Sequence, residues 1–188
     1  MKRFGIGMVI LGIMMITGAL GLILCNQQEE ARAAQTVQDV MAQMEFGVII
    51  APEETAAEEM PTVSVDGHGY IGYLSVPALE LELPVMGQWS YEDLKIAPCR
   101  YAGSLHTEDL VVMAHNYESH FGRLDELEPG DRVSFTDPDG VTTAYQVEEV
   151  ELLEAGDVEE MTGGEWNLTL FTCTYGGKNR VTVRCSVR

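Results

Sequence analysis

The feature that most constrains the fold is an apolar run of 22 residues at 4–25 that contains no charged side chain. As an α-helix this run would extend about 30 Å, which is the thickness of the hydrocarbon core of a bilayer. Lys2 and Arg3 precede the run, and Glu29 and Glu30 follow it. The positive-inside rule therefore predicts one membrane-spanning helix, with the N-terminus in the cytoplasm and the rest of the chain outside the cell.

A cleavable signal peptide is the alternative interpretation of the same segment. Ala31-Arg32-Ala33 resembles the small-residue site at which such peptides are cut. The apolar core of a signal peptide is usually only about 7–15 residues long. Because the run here is longer, we favour an uncleaved anchor in contact with membrane lipid, and hence a single-pass protein of the cell membrane.

The sequence after the apolar run has two regions of different texture. Residues 27–68 are acidic and rich in Ala and Gln. Their first half places four apolar side chains at helical spacing, which are Val37, Val40, Met41 and Met44. From residue 69 onward, short apolar segments alternate with turn residues. We therefore predict three parts: a cytoplasmic tip and anchor at 1–26, a partly helical extracellular linker at 27–68, and a folded domain at 69–188.

The folded domain has the pattern of short β-strands. Apolar and acidic residues alternate from Leu79 to Leu83, as in a strand with one buried face. Asp137-Pro138-Asp139-Gly140 separates two further apolar segments and is typical of a hairpin turn. About seven or eight strands, with short helices around 90–95 and 120–127, favour an all-β closed barrel over an α/β layer fold.

The net charge of −19 limits the classes of partner and cofactor. Nucleic acid is excluded as a partner, because its binding requires clustered Lys and Arg side chains. The acidic segment at 148–160 suggests calcium, but it lacks the regular oxygen-ligand spacing of an EF-hand loop. His115 and His120 have no nearby Cys or His pair that would complete a metal site. We therefore predict no metal and no cofactor, with calcium as the less favoured alternative.

Three side chains near strand ends carry the candidate chemistry. Cys173 ends one predicted strand, His115 follows another, and Arg180 begins a third. A thiol, an imidazole and a guanidinium at one edge are sufficient for acyl transfer through a thioester. Arg184 lies on the same face of its strand as Arg180, and the pattern alone does not choose between the two arginines.

The other three cysteines have structural interpretations. Cys25 lies in the apolar run, which leaves Cys99 and Cys185 as the one conceivable disulfide pair in an oxidising exterior. Two isolated buried thiols are the simpler expectation, because the sequence does not give their separation.

The segment that ends in the candidate nucleophile resembles the signature of the sortase family. It reads Thr169-Leu170-Phe171-Thr172-Cys173, and the family signature is Thr-Leu, any residue, then Thr-Cys. The order His, Cys, Arg and the segment Ala114-His115-Asn116 are also similar to the family. The resemblance covers about residues 69–188, and the N-terminal anchor fits it as well. Asn116 and Thr174-Tyr175 resemble class B sortases, whereas the compact length resembles class A or D.

This resemblance implies a sortase-like barrel and a membrane-anchored cysteine transpeptidase of Gram-positive bacteria. Such an enzyme, a thiol hydrolase and acyltransferase, cleaves the C-terminal sorting signal of a secreted protein. It then passes the acyl fragment to an amine, either of a cell-wall crossbridge or of a pilin lysine. Carried over, Cys173 is the nucleophile, His115 the general acid and base, and Arg180 the oxyanion stabiliser. Thr172 and Asn116 are implied as substrate contacts.

Two other functions remain open from the residues themselves. A cysteine peptidase would use water in place of the amine, although papain-like enzymes place Cys before His in sequence. A membrane-tethered binding barrel without catalysis would keep Cys173 and His115 as core residues. The sorting motif, the acceptor amine and the oligomeric state do not follow from the sequence.

Overall fold

The computed structural model describes residues 2–44, 48–50 and 60–188. Its two α-helices are α1 (Lys2–Met44) and α2 (Val158–Thr162). Its strands are β1 (Val48–Ile50), β2 (Thr62–Val65), β3 (His68–Val76), β4 (Leu81–Met86), β5 (Cys99–Ala102), β6 (Leu110–Ala114), β7 (Arg132–Thr136), β8 (Thr142–Glu154), β9 (Leu168–Cys173) and β10 (Asn179–Val187). Short 3-10 helices lie at Pro77–Leu79, Asp93–Lys95 and Leu124–Glu126.

The chain forms two compact units, residues 1–32 and 33–188. In the first unit the large apolar side chains of α1 from Ile10 to Leu24 are exposed, among them Met15 and Leu22. Within the described ranges, α1 is the one helix that is long and apolar enough to cross a membrane. A membrane-spanning helix is expected to be apolar and to leave its apolar side chains uncovered by protein, since lipid surrounds them.

Eight strands of the second unit close into a mixed barrel. Their order around the barrel is β3-β4-β5-β6-β9-β10-β8-β7, and pairing of β3 with β7 completes the ring. The all-β closed barrel of seven to eight strands predicted from the sequence is confirmed. Gly72 lies where β3 changes partners, and a Cβ at this residue would collide with the carbonyl of Thr136. Only glycine permits this approach of two backbones.

The barrel interior is filled by alternating residues of its strands. Leu110, Val112 and Ala114 of β6 point inward, as do Leu168 and Leu170 of β9. Phe121 and Leu124, from the segment that follows β6, close the interior at one end. The residues between these positions face outward, because side chains alternate across a strand.

Part of the predicted linker belongs to the same compact unit as the barrel. The unit begins at Ala33, and Val37 and Val40 of α1 are buried in its core clusters. β2 also falls within the predicted linker and pairs with β3. Residues 51–59, which were assigned to the same linker, lie outside the described residues. The predicted boundaries at 26 and 68 stay a prediction.

Candidate active site

The parallel pair β6 and β9 places two candidate catalytic residues at one edge of the barrel. Ala114 is the register partner of Thr172, so His115 and Cys173 are each one residue beyond this pair. Alternation along β9 puts Cys173 on the outer face with Phe171, since Leu168 and Leu170 point inward. Both His115 and Cys173 are half-buried rather than enclosed in the core. An imidazole and a thiol thus lie at neighbouring strand ends with access to solvent.

A tight hairpin between β9 and β10 places the guanidinium. Thr174 is tied to Asn179 by a backbone bond from its N–H to the Asn179 carbonyl, at 2.9 Å. Gly176 and Gly177 both have positive φ, which allows the sharp turn. The resulting register puts Arg180 directly opposite Cys173. Arg180 donates to the carbonyls of Gly177 and Asn179, at 3.0 and 3.1 Å.

The second arginine of β10 has a structural environment. Arg184 is only 2% exposed, and its Nε donates to Glu151 Oε1 at 2.8 Å. Its two terminal nitrogens donate to the carbonyls of Met161 and Glu160 in α2. These bonds fasten α2 to the barrel wall, which distinguishes Arg184 from Arg180.

The two implied substrate contacts lie in different places. Thr172 is buried on the inner side of β9, and its hydroxyl donates to the Ala114 carbonyl at 2.8 Å. This bond ties together the two strands that carry His115 and Cys173. Asn116 follows His115 and is half-buried at the active edge. The structure therefore brings Asn116 beside the candidate catalytic residues and turns Thr172 to the opposite face from Cys173.

The segment 115–122 contains a second imidazole, His120, for which the sequence pattern predicted no catalytic role. His120 is completely buried, and burial, with a smaller contribution from His115, lowers its pKa to about 4. Among the described residues neither ring nitrogen has a hydrogen-bond partner. The sequence signal for it was weak, because His120 does not lie at a strand end.

His120 predicts a stability that falls with acid. The folded protein keeps this imidazole neutral to about pH 4, whereas the unfolded chain protonates it near pH 6.5. The free energy of unfolding should therefore fall by about 3 kcal/mol between pH 6.5 and pH 4 from this group alone. We expect His120→Asn to be less stable at pH 7 but to lose less stability on acidification. Urea unfolding of the full-length protein at pH 7 and pH 4, followed by Trp fluorescence, measures both slopes, and parallel slopes would contradict this prediction.

A row of aromatic rings extends from the outer face beside Cys173. Phe171 and Tyr101 are edge to face, with ring centroids 5.3 Å apart. Tyr101 is 5.8 Å from Trp89, and Trp89 is 5.8 Å from Tyr91. Phe171 is buried, but Trp89 and Tyr91 are 41% and 75% exposed. We call these four residues the aromatic row. It offers an apolar surface that begins two residues from the candidate nucleophile.

The remaining thiols of the barrel are buried and separate. Cys99 and Cys185 are both free, and they belong to different core clusters. Burial raises the pKa of each of these thiols to about 12. They are thus protonated at neutral pH, and the protonated thiol is a poor nucleophile.

This difference predicts selective alkylation of the native protein. Iodoacetamide at pH 8 should modify Cys173 in the barrel and leave Cys99 and Cys185 unmodified, because the latter are inaccessible and protonated. Peptide mapping of the full-length protein in detergent micelles measures each site. In denaturant all the thiols should react, which serves as the control. Equal labelling of Cys99 and Cys173 in the native state would contradict the assignment.

The acidic segment at 148–160 does not form a metal-binding cluster in the part of the chain that the structure describes. No group of three or more His, Cys, Asp or Glu side chains is placed to hold an ion there. The acids of β8 fall on both faces of that strand, and Glu151 is used by Arg184. The absence of a metal and a cofactor stays a prediction.

The comparisons with known proteins identify the family. The family model "Sortase domain" matches residues 74–188, which is more than half of the chain. The chain belongs to the sortase family. Sortases are membrane-associated cysteine transpeptidases that anchor pilins and surface proteins. A search of the curated proteins found no match.

Solved sortase structures share the fold. Sortase C1 from Streptococcus suis is 26% identical with a TM-score of 0.55, covering 64% of this chain and 74% of that one. Sortase C from Streptococcus pneumoniae is 24% identical with a TM-score of 0.56, over 86% and 88%. Sortase A from Corynebacterium diphtheriae is 16% identical with a TM-score of 0.58, over 85% and 84%. These three solved structures are sortases of classes C and A. The likeness of this chain to class B around His115 and Cys173, and to class A or D in its compact length, stays a prediction.

Proposed function

We propose that this sortase is a membrane-anchored transpeptidase in which Cys173, His115 and Arg180 act together. The observation that carries the proposal is the strand register: Ala114 pairs with Thr172, and Cys173 pairs with Arg180. Three adjacent strands therefore present an imidazole, a thiol and a guanidinium at one edge. The half-buried state of Cys173 and His115 also argues against a purely structural core role.

The proposed reaction has two acyl-transfer steps. The thiolate of Cys173 attacks the scissile carbonyl of the sorting signal, and His115 gives a proton to the departing amine. This breaks the peptide bond and forms a thioester. An incoming amine then attacks the thioester, His115 takes the proton from that amine, and Cys173 leaves as the thiolate. Arg180 stabilises the negative oxygen that forms in each step, once its guanidinium turns from the hairpin carbonyls toward Cys173.

The proposed substrates are secreted proteins with a C-terminal sorting signal. The S. pneumoniae sortase C has pilin substrates, which supports a pilin or surface protein as the acyl donor here. The acceptor is the amine of a pilin lysine or of a peptidoglycan crossbridge. The N-terminal helix, whose apolar run follows Lys2 and Arg3, supports a catalytic unit on the outer side of the membrane.

The aromatic row is the proposed surface for the apolar part of the sorting signal. A Trp that is 41% exposed can cover an apolar peptide side chain at little entropic cost. We expect Trp89→Ala to raise KM about tenfold, because roughly 1.4 kcal/mol of contact energy is lost, with kcat reduced much less. Steady-state cleavage of a fluorogenic sorting peptide measures both constants. Val141→Ala, at an exposed apolar residue in the β7–β8 turn, is the matched control, and an unchanged KM in Trp89→Ala would exclude this surface.

The partition between amine and water tests the proposed function against the peptidase alternative. The full-length protein in detergent micelles is mixed with a pool of sorting-signal peptides, with and without oligoglycine or a lysine amine. We expect a ligated product whose yield rises with amine concentration at the expense of the hydrolysed peptide. Cleavage that yields only the free acid at every amine concentration would favour a peptidase. Peptide binding without cleavage would favour the binding barrel.

A further inference from the structure

Three aromatic rings in the segment 115–122 contact one another in a series that begins at His115. The ring centroids of His115 and Tyr117 are 5.0 Å apart with an interplanar angle of 39°. Those of Tyr117 and His120 are 5.5 Å apart with an angle of 56°. Tyr117 is thus placed between the proposed acid and base and a buried imidazole that the proposed reaction does not use.

The backbone of the segment 115–122 fixes this arrangement. The His115 carbonyl accepts a hydrogen bond from Phe121 N, and the Tyr117 carbonyl accepts from both His120 N and Gly122 N, at 2.9 and 2.8 Å. A Cβ on Gly122 would lie 2.7 Å from the carbonyl oxygen of Tyr117, so the closure requires glycine. Phe121 is completely buried in the barrel core and anchors the segment. These contacts hold the backbone of the segment that carries His115, Tyr117 and His120.

The chemistry of an aromatic ring suits this position. The face of a Tyr ring attracts a cation whose centre lies within about 6 Å of the centroid. His115 is a cation at the moment when it can donate a proton to the leaving amine. His120, behind the ring, is uncharged above about pH 4 because of its burial. It therefore supports Tyr117 without adding a positive charge that would oppose the imidazolium of His115.

We propose that Tyr117 is a positioning residue that orients His115 and stabilises its imidazolium form, with His120 as the neutral ring that supports Tyr117. This inference rests on the proposed role of His115. Other groups that carry or gain charge on the elements beside His115 are Cys173 at the end of β9, Arg180 opposite it on β10, and Glu118 and His120 on the connection after β6. These groups are the same in all Tyr117 variants, so a comparison among those variants isolates the ring.

Titration of the histidine signals by NMR tests the proposal without any substrate. The sample is the full-length protein in detergent micelles, labelled at histidine. It carries Cys173→Ala, because this substitution removes the coupling between the titrations of His115 and the Cys173 thiol. The His115 signal is assigned by its loss in His115→Gln. We expect Tyr117→Leu to lower the midpoint of the His115 titration by about half a pH unit. Tyr117→Phe, which keeps the ring, should keep the wild-type midpoint.

Further variants keep the result unambiguous. Tyr91→Leu removes an exposed tyrosine far along the aromatic row and should leave the His115 midpoint unchanged. Tyr117→Met replaces Tyr117→Leu if the latter does not fold. A wild-type midpoint in a folded variant without an aromatic ring at 117 would overturn the proposal, and so would an equal shift in Tyr117→Phe. Because no sorting peptide is used, failure of transpeptidation would leave this measurement interpretable.

Discussion

Replacement of Cys173 by Ala is expected to abolish both cleavage and ligation of a sorting peptide. Without the sulfur no thioester forms, and the loss should be on the order of 10⁴-fold or more in kcat/KM. The fold should be retained, because Cys173 is half-buried at a strand end and outside the described core clusters. Steady-state peptide cleavage and thermal unfolding of the full-length protein measure the two effects.

Cys185→Ala is the matched control for this prediction. Cys185 is fully buried in the barrel core, so its truncation should lower the melting temperature. It lies on the inner face of β10, away from the active edge, and kcat/KM should stay near that of the wild type at a temperature where the variant is folded. Retained ligation in Cys173→Ala would contradict the proposed nucleophile.

The two arginines of β10 are expected to separate stability from activity. Arg184→Met removes a buried guanidinium and leaves the carbonyls of Met161 and Glu160 without their donor. We expect a loss of about 3 kcal/mol in the free energy of unfolding, because one partner of a buried ionic network is deleted. The melting temperature should fall by about 10 °C.

Arg180→Met should have the opposite profile. Its side-chain hydrogen bonds are to carbonyls of an exposed hairpin, so the free energy of unfolding should change by less than about 1 kcal/mol. Loss of the oxyanion donor should lower kcat by about 10²–10³-fold. Thermal unfolding and single-turnover acylation of both variants form one experiment. An Arg180→Met protein with wild-type acylation would remove Arg180 from the reaction.

Much of the barrel was predictable because its strands have one buried face. The alternation from Leu79 to Leu83 predicted a strand that is found as β4, but β4 begins only at Leu81, because Leu79 ends a 3-10 helix and Glu80 has a positive φ. The turn at Asp137 to Gly140 joins β7 and β8. The pairing of β2 with β3 was not predicted, because residues 62–68 were assigned to the linker, although Asp66-Gly67 joins the two strands as a two-residue turn. The pairing of β3 with β7 depends on contacts between distant parts of the chain, which local periodicity does not contain.

Some residues of the candidate site could be placed from the sequence, whereas the surroundings of others could not. The strand ends at His115 and Cys173 followed from apolar runs that stop at a reactive side chain. The environments of Arg180 and Arg184 differ only through the register of β10 and the packing of α2, which the sequence does not specify. His120 and Tyr117 were missed because their placement comes from the closure of the 115–122 segment, and the aromatic row was missed because Tyr101 and Phe171 meet across strands.

Capture of the acyl intermediate tests the central claim most directly. The full-length wild-type protein in detergent micelles is mixed with sorting-signal peptides, and its intact mass is followed before and after an amine is added. We expect one adduct with the mass of the acyl fragment, mapped to Cys173 and discharged into a ligated product by the amine. No adduct across the pool, or an adduct on Cys25, Cys99 or Cys185 instead, would contradict a transpeptidase that acts through Cys173.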